Sequence, residues 1–121
     1  MIPDLSGEVF NAANISEADL RDGRFGKAEL QFADFHRVNL SRTYLFQANL
    51  RDANLNQANL TGANLSEANL EAASLLNADL TGADLTGCRI YGVSAWGLKL
   101  DESTKQQNLV ITSENEPAIH R

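Results

Sequence analysis

The stretch Ala48-Asn49-Leu50-Arg51-Asp52-Ala53-Asn54-Leu55 states one five-residue pattern twice, and its frame runs almost the length of the chain. Counting outward from Leu50, every fifth position from Leu5 to Ile90 is Leu, Ile or Phe: eighteen positions without insertion, thirteen of them Leu. Two residues before each stands a small position, which between residues 13 and 83 is Ala in twelve of fifteen cases, with Gly23, Val38 and Thr43 the others. Asn or Asp separates the two in most units, as at Asn49, Asn54, Asn59, Asn64, Asn69, Asp79 and Asp84.

A period of five suits neither regular element alone. On a helix each Leu advances about 140° from the last, and on a long strand alternate Leu residues face opposite sides. On a short extended piece, however, positions two apart share a side, so Ala and Leu both point inward while the next two residues turn a corner. Each pentapeptide is then one side of a coil, and four sides make a turn of twenty residues. The charges agree with that turn: within residues 1 to 100 a separation of twenty gives five opposite pairs (Asp4/Arg24, Glu17/Arg37, Asp22/Arg42, Arg51/Glu71, Asp79/Lys99) and no like pair. A separation of fifteen brings like charges together, as at Asp19 and Asp34. Residues one coil apart are about 4.8 Å apart, where like charges repel. Gly62, Gly82, Gly87, Gly92 and Gly97 fall at the second corner position, where a left-handed backbone suits Gly.

These residues resemble the pentapeptide-repeat family, whose repeat is written A(D/N)LXX. The resemblance covers residues 4 to 100, with seventeen consecutive in-frame units from Phe10 to Ile90. It implies an all-β solenoid, a right-handed quadrilateral parallel β-helix of about five coils, about 24 Å long at about 4.8 Å per coil. Glu8 departs from the pattern in the small inward position of the first coil, and Pro3 before it is able to stop strand addition. After Ile90 the frame weakens through Val93, Ala95, Leu98 and Leu100, and Asp101 reads as the start of a short C-terminal helical cap. The expected division is a β-helix over 1–100, a cap over 101–112 and a polar tail over 113–121.

The chain carries 10 Lys and Arg against 16 Asp and Glu, a formal charge of −6, which argues against nucleic acid as a partner. No run of apolar residues exceeds three, too few for a membrane span or a signal-peptide core, so a soluble, cytoplasmic protein with no membrane partner is expected; the family resemblance implies that it is of bacterial type. Cys88 stands in the position of an inward Ala and reads as a buried, inert thiol; with only His36 and His120 beside it there is neither a disulfide framework nor a zinc set. No triad order, phosphate loop or metal spacing is present, so no catalytic residue, cofactor or metal is assigned and the chain is expected not to be an enzyme.

Surface residues are more informative, because the repeat does not require aromatic rings outside. Tyr44 and Phe46 flank inward Leu45 and face outward together, Phe32 occupies a corner and Leu76 another side; these four are the candidate contacts with an unidentified protein partner. Six of the ten basic residues lie between residues 21 and 51, giving that stretch +3. Tyr91, Trp96, Leu109 and Ile111 near the C-terminal end are the candidate contacts of a homodimer formed through that end. The expected function is a non-enzymatic scaffold for protein–protein interaction. The resemblance also implies two alternatives: a recognition module of, or stand-alone relative of, a larger bacterial signalling or effector protein, and a DNA-mimic regulator of DNA gyrase like the fluoroquinolone-resistance members.

Overall fold

A segment whose only apolar residues lie two apart buries them by lying extended for three residues and then turning, and the computed structural model repeats this move throughout residues 4 to 111. Pro3, Thr112 and the polar tail expected over 113–121 lie outside the described residues. Among the described residues no continuous strand forms. Each side instead contributes a single parallel bridge, and the register is twenty residues from Asp4↔Arg24 to Asp79↔Lys99. Four bridges per twenty residues define a four-sided coil.

The unit around Leu50 shows how the backbone is satisfied. Leu50 N–H donates to Asn69 O at 2.8 Å and Asp52 N–H to Glu71 O at 3.0 Å in the next coil, Asn49 N–H donates back to Ala28 O at 2.9 Å, and Ala53 N–H closes the corner on Leu50 O at 3.0 Å. That leaves one N–H in five, on the first corner residue. At Arg51 it donates to Oδ1 of Asn49 at 3.2 Å, and the same bond joins Asn56 to Asn54, Thr61 to Asn59, Ser66 to Asn64, Thr81 to Asp79 and Thr86 to Asp84. The Asn or Asp of the repeat is thus the acceptor for the one backbone donor the ladder cannot reach. Where the position is Glu29 or Ser74, an Asn one coil earlier substitutes: Gln31 N–H donates to Asn11 Oδ1 and Leu76 N–H to Asn56 Oδ1, both at 3.0 Å.

The second corner residue is left-handed at every position from Gly7 to Gly97, and thirteen of these nineteen corners are not Gly, with φ between 55° and 62°. The hydrogen bond across the corner with positive φ at its third residue is the pattern of a type II turn. The Gly positions singled out in the sequence are left-handed as expected. They are a minority because the ladder over-determines the backbone and holds side-chain-bearing residues there at a cost of about 1–2 kcal/mol each.

Inside, the residue at every fifth position from Phe25 to Leu85, Leu except at Phe25 and Phe35, is buried together with the inward small residues from Ala28 to Cys88. Leu5, Phe10, Ile15, Leu20 and Ile90 are only partly buried, since each end of the stack covers one side of its last layer. Glu8, in the small inward position of the first coil, is exposed.

The expected helix after Asp101 does not form. Residues 101 to 111 continue the coil with one extra residue, shown by the bridges Asp84↔Lys105 and Arg89↔Val110. Asp101 does cap, but it caps a turn: its Oδ1 accepts from Ser103 N–H at 2.9 Å, and Thr104 Oγ1 donates to Leu80 O at 2.8 Å. Leu85, Gly87 and Ile90 N–H groups then donate to Lys105, Gln107 and Val110 carbonyls, whereas a helix would leave those donors unpaired.

Gly23 is explained by its neighbour. A Cβ there would lie 2.7 Å from Phe25 Cε2 and 2.8 Å from Leu20 O, so this ring and the backbone of the corner together leave room only for Gly, whereas Phe35 accommodates Ala33. Gly23→Ala is expected to cost about 1–3 kcal/mol by overpacking. Adding Phe25→Leu, which gives the Ala-x-Leu pairing found in most units and removes the ring contact but not that with Leu20 O, is expected to recover part of it; thermal unfolding of the two single variants and the double variant checks this, and additive losses would contradict it.

Candidate protein-contact surface

The twenty-residue register sorts outward side chains into columns. On the face that carries Leu5, Phe25, Leu45, Leu65 and Leu85, the outward column reads Asp4, Arg24, Tyr44, Asn64, Asp84, and its corner column Ser6, Gly26, Phe46, Ser66, Thr86. Tyr44 and Phe46 meet there, with ring centroids 6.1 Å apart and planes inclined by 27°. Tyr44 is 45% exposed and Phe46 half-buried. The Tyr44 ring leans over the previous coil, where a Cβ on Gly26 would lie 2.9 Å from its Cε2.

Beside the rings are two hollows that share Ser6 and Tyr44. The larger, about 490 Å³, is bounded by Asp4, Asp22, Arg24 and Arg42; the smaller, about 290 Å³, by Gly26, Lys27 and Phe46. Arg42 is held by Asp22, with Nε–Oδ1 at 2.8 Å and Nη2–Oδ2 at 3.1 Å, and its guanidinium lowers the Asp22 pKa. The other two aromatic or aliphatic candidates are not part of this surface: Phe32 projects from the next corner, 61% exposed, and half-buried Leu76 lies one corner further, above Asn56. At the C-terminal end Trp96 is 85% exposed and Tyr91 is exposed at the preceding corner, whereas Leu109 packs against the core and Ile111 is half-buried.

Four of the five charge pairs read from the sequence are ion pairs here: Arg37–Glu17 at 4.0 Å, Arg42–Asp22 at 2.8 Å, Arg51–Glu71 at 3.7 Å and Lys99–Asp79 at 3.8 Å. Sequence reasoning missed the stronger partner of Glu71. Its carboxylate is buried between Arg51 and Arg89, whose Nε donates at 3.0 Å from eighteen residues on, a diagonal that the twenty-residue rule does not reach. It counted Arg24 and Lys27 in the basic stretch from 21 to 51 but missed that they flank the aromatic pair, and it missed the corner at Gly26. The signal was available: positions 24 and 44 are one coil apart on one face, and neither is Asn or Asp.

The single cysteine is occupied. Cys88 is buried, its thiol donates to Leu65 O at 2.8 Å, and burial pushes its pKa up to about 12. Among the described residues no group of three His, Cys, Asp or Glu side chains is placed to hold a metal, and no helix is long and apolar enough to cross a membrane.

Architecture and surface together define a class, a four-sided parallel solenoid built from pentapeptides with a solid core and all its variation outside. The model of the family described as pentapeptide repeats matches eight copies over residues 13–52, 48–87 and 63–94, and the chain belongs to that family. With membership comes the right-handed quadrilateral β-helix as the family's form. A pentapeptide repeat protein of the Arabidopsis thaliana thylakoid lumen is 32% identical with a TM-score of 0.58, covering 82% of this chain and 69% of that one. Pentapeptide repeat proteins of Nostoc PCC 7120 and of Cyanothece 51142 are 30% and 26% identical, with TM-scores of 0.41 and 0.47; they cover 83% and 84% of this chain and 86% and 90% of their own. Comparison with curated proteins gives no match.

Two carboxylates of the ladder have pKa values that the fold lowers. Hydrogen bonds from the Thr86 hydroxyl and N–H hold Asp84 below the usual carboxylate range against the opposing effect of burial; at Asp79 burial is the largest influence and raises the pKa, but the Thr81 hydroxyl, its N–H and Lys99 together outweigh it. A carboxyl whose pKa is lower folded than unfolded stabilises the fold above about pH 4 and loses that contribution as pH falls through the folded value. Asp79→Asn with Asp84→Asn keeps both acceptors and removes both titrations. Its thermal midpoint is therefore expected to fall less between about pH 5 and about pH 2.5 than that of the parent; equal slopes would contradict this.

Proposed function

We propose that this chain is a non-enzymatic scaffold that binds a protein partner through the face carrying Tyr44 and Phe46. The observation that supports the reading is the stacked, outward aromatic pair beside two adjoining hollows, on a fold whose inward positions are filled. Aromatic rings held by a rigid backbone lose little side-chain freedom on binding, which suits them to be anchors. Family membership supports it as well, because pentapeptide repeat proteins are generally interaction scaffolds. Acidic and basic residues alternate along the columns and pair across coils, as in Asp22–Arg42 and Asp79–Lys99, a surface unlike the continuous acidic stripe that mimicry of duplex DNA requires.

Affinity capture from source-cell lysate, comparing the parent with Tyr44→Ser/Phe46→Ser and with Phe32→Ser, tests this reading. All three proteins keep the inward positions. The expected result is one partner retained by the parent and by Phe32→Ser and lost, by about tenfold or more, from the double variant, as for a pair of anchor residues. Equal recovery by all three, or recovery of nothing, would overturn it.

A further inference from the structure

Between residues 16 and 86 there are fifteen first-corner N–H groups, and thirteen of them donate to an Asn or Asp side-chain oxygen. The two without such an acceptor among the described residues are Gly26 and Phe46. Outside that span the first-corner N–H groups of Asn11, Tyr91 and Trp96 also lack one, at exposed residues of the end coils; Gly26 and Phe46 differ from these in being neighbours. They lie one coil apart on the same corner, both line the smaller hollow, and their acceptor positions are occupied by Arg24 and Tyr44, which have no oxygen to offer at that reach.

We propose that this hollow receives a carboxylate from an acidic, extended segment of a partner protein, an inference that rests on the scaffold reading above. At the other corners the N–H points to where an Asx oxygen sits, so at residues 26 and 46 two donors about 4.8 Å apart are directed toward the same hollow, that of buried Gly26 from beneath the Tyr44 ring. A carboxylate bridges that distance with one oxygen on each N–H, reproducing from outside the bond that Asn and Asp make from within. Charge supports the same ligand. Among the described residues neither Arg24 nor Lys27 has a carboxylate within 4.0 Å, whereas Arg42 nearby is already held by Asp22. The Tyr44 and Phe46 rings provide an apolar wall for the side chains flanking the acid. The formal charge of −6 opposes any anion in proportion to its charge, which favours a carboxylate met at short range by Arg24 and Lys27 over a polyphosphate.

The probe is a fluorescein-labelled hexapeptide of alternating Glu and Val, with its Gln-for-Glu counterpart, read by fluorescence polarisation against the full chain. Arg24→Asn/Tyr44→Asn supplies an internal oxygen to each N–H; Arg24→Gln/Tyr44→Gln removes the same charge and ring but is too long to close the bond. The Glu peptide is expected to bind the parent and the Gln peptide not to, and the Asn pair is expected to bind about tenfold more weakly than the Gln pair while unfolding at a higher temperature. Absence of Glu-peptide binding, equal binding of both peptides, equal affinity of the Asn and Gln pairs, or competition by free glutamate as effective as the peptide would each overturn the inference. If lysate capture still depends on Tyr44 and Phe46 while the peptide fails, only the acidic ligand falls. If capture is insensitive to both rings, the scaffold reading falls beneath it.

Discussion

The fold depends on the hydrogen bond from the first-corner N–H to the side-chain oxygen of the Asn or Asp two residues before it. A coil with four corners per twenty residues turns too often for its backbone to be satisfied by the ladder alone, and the donor left at each corner is half-covered by the next coil. Leaving such a donor unmet costs about 1–3 kcal/mol. One side-chain oxygen at the position before the inward Leu removes that cost locally, without help from any distant segment. With it in place, left-handed backbone at residues such as Phe32 and Arg42 is tolerable, because every flanking N–H is already engaged.

The same constraint determines where function sits. Four large side chains and four small ones fill each cross-section, so the interior offers neither a cleft nor a reactive group, and Cys88 shows what becomes of a thiol placed there. Variation is confined to the outward and corner columns. The columns convert sequence distance into spatial order: residues twenty apart are neighbours, which puts Arg24 beside Tyr44 and Gly26 beneath its ring, and puts Leu76 and Trp96 along a different edge. A rigid body of this kind recognises a partner by which side chains it stacks, not by closing around it.

Much of this was legible in the residues. The inward frame from Leu5 to Ile90, the twenty-residue turn and four cross-coil ion pairs follow from counting, since each rests on spacing that the backbone cannot vary without breaking the ladder. The C-terminal segment was misread because Asp101 has one local signature for two outcomes: an aspartate oxygen accepts a nearby N–H at a helix start and at a corner alike, and the unpaired donors of Leu85, Gly87 and Ile90 decide between them. The Glu71–Arg89 contact was illegible because it is diagonal and depends on side-chain length. Tyr44 and Phe46 were visible as outward aromatics, but the hollows beside them depend on what residues 24 and 26 lack, and an absence is read only once the purpose of the Asn position is known.

Amide hydrogen exchange at single-residue resolution by NMR tests that purpose most directly. If the side-chain oxygen completes the backbone account, the corner amides of Thr61, Ser66, Thr81 and Thr86 exchange as slowly as the ladder amides of Leu60 and Leu80, while that of Phe46 exchanges far faster despite its half-buried side chain. Corner amides that all exchange as fast as Phe46 would show that the Asn and Asp oxygens do not hold the turns, and would contradict the account at its centre.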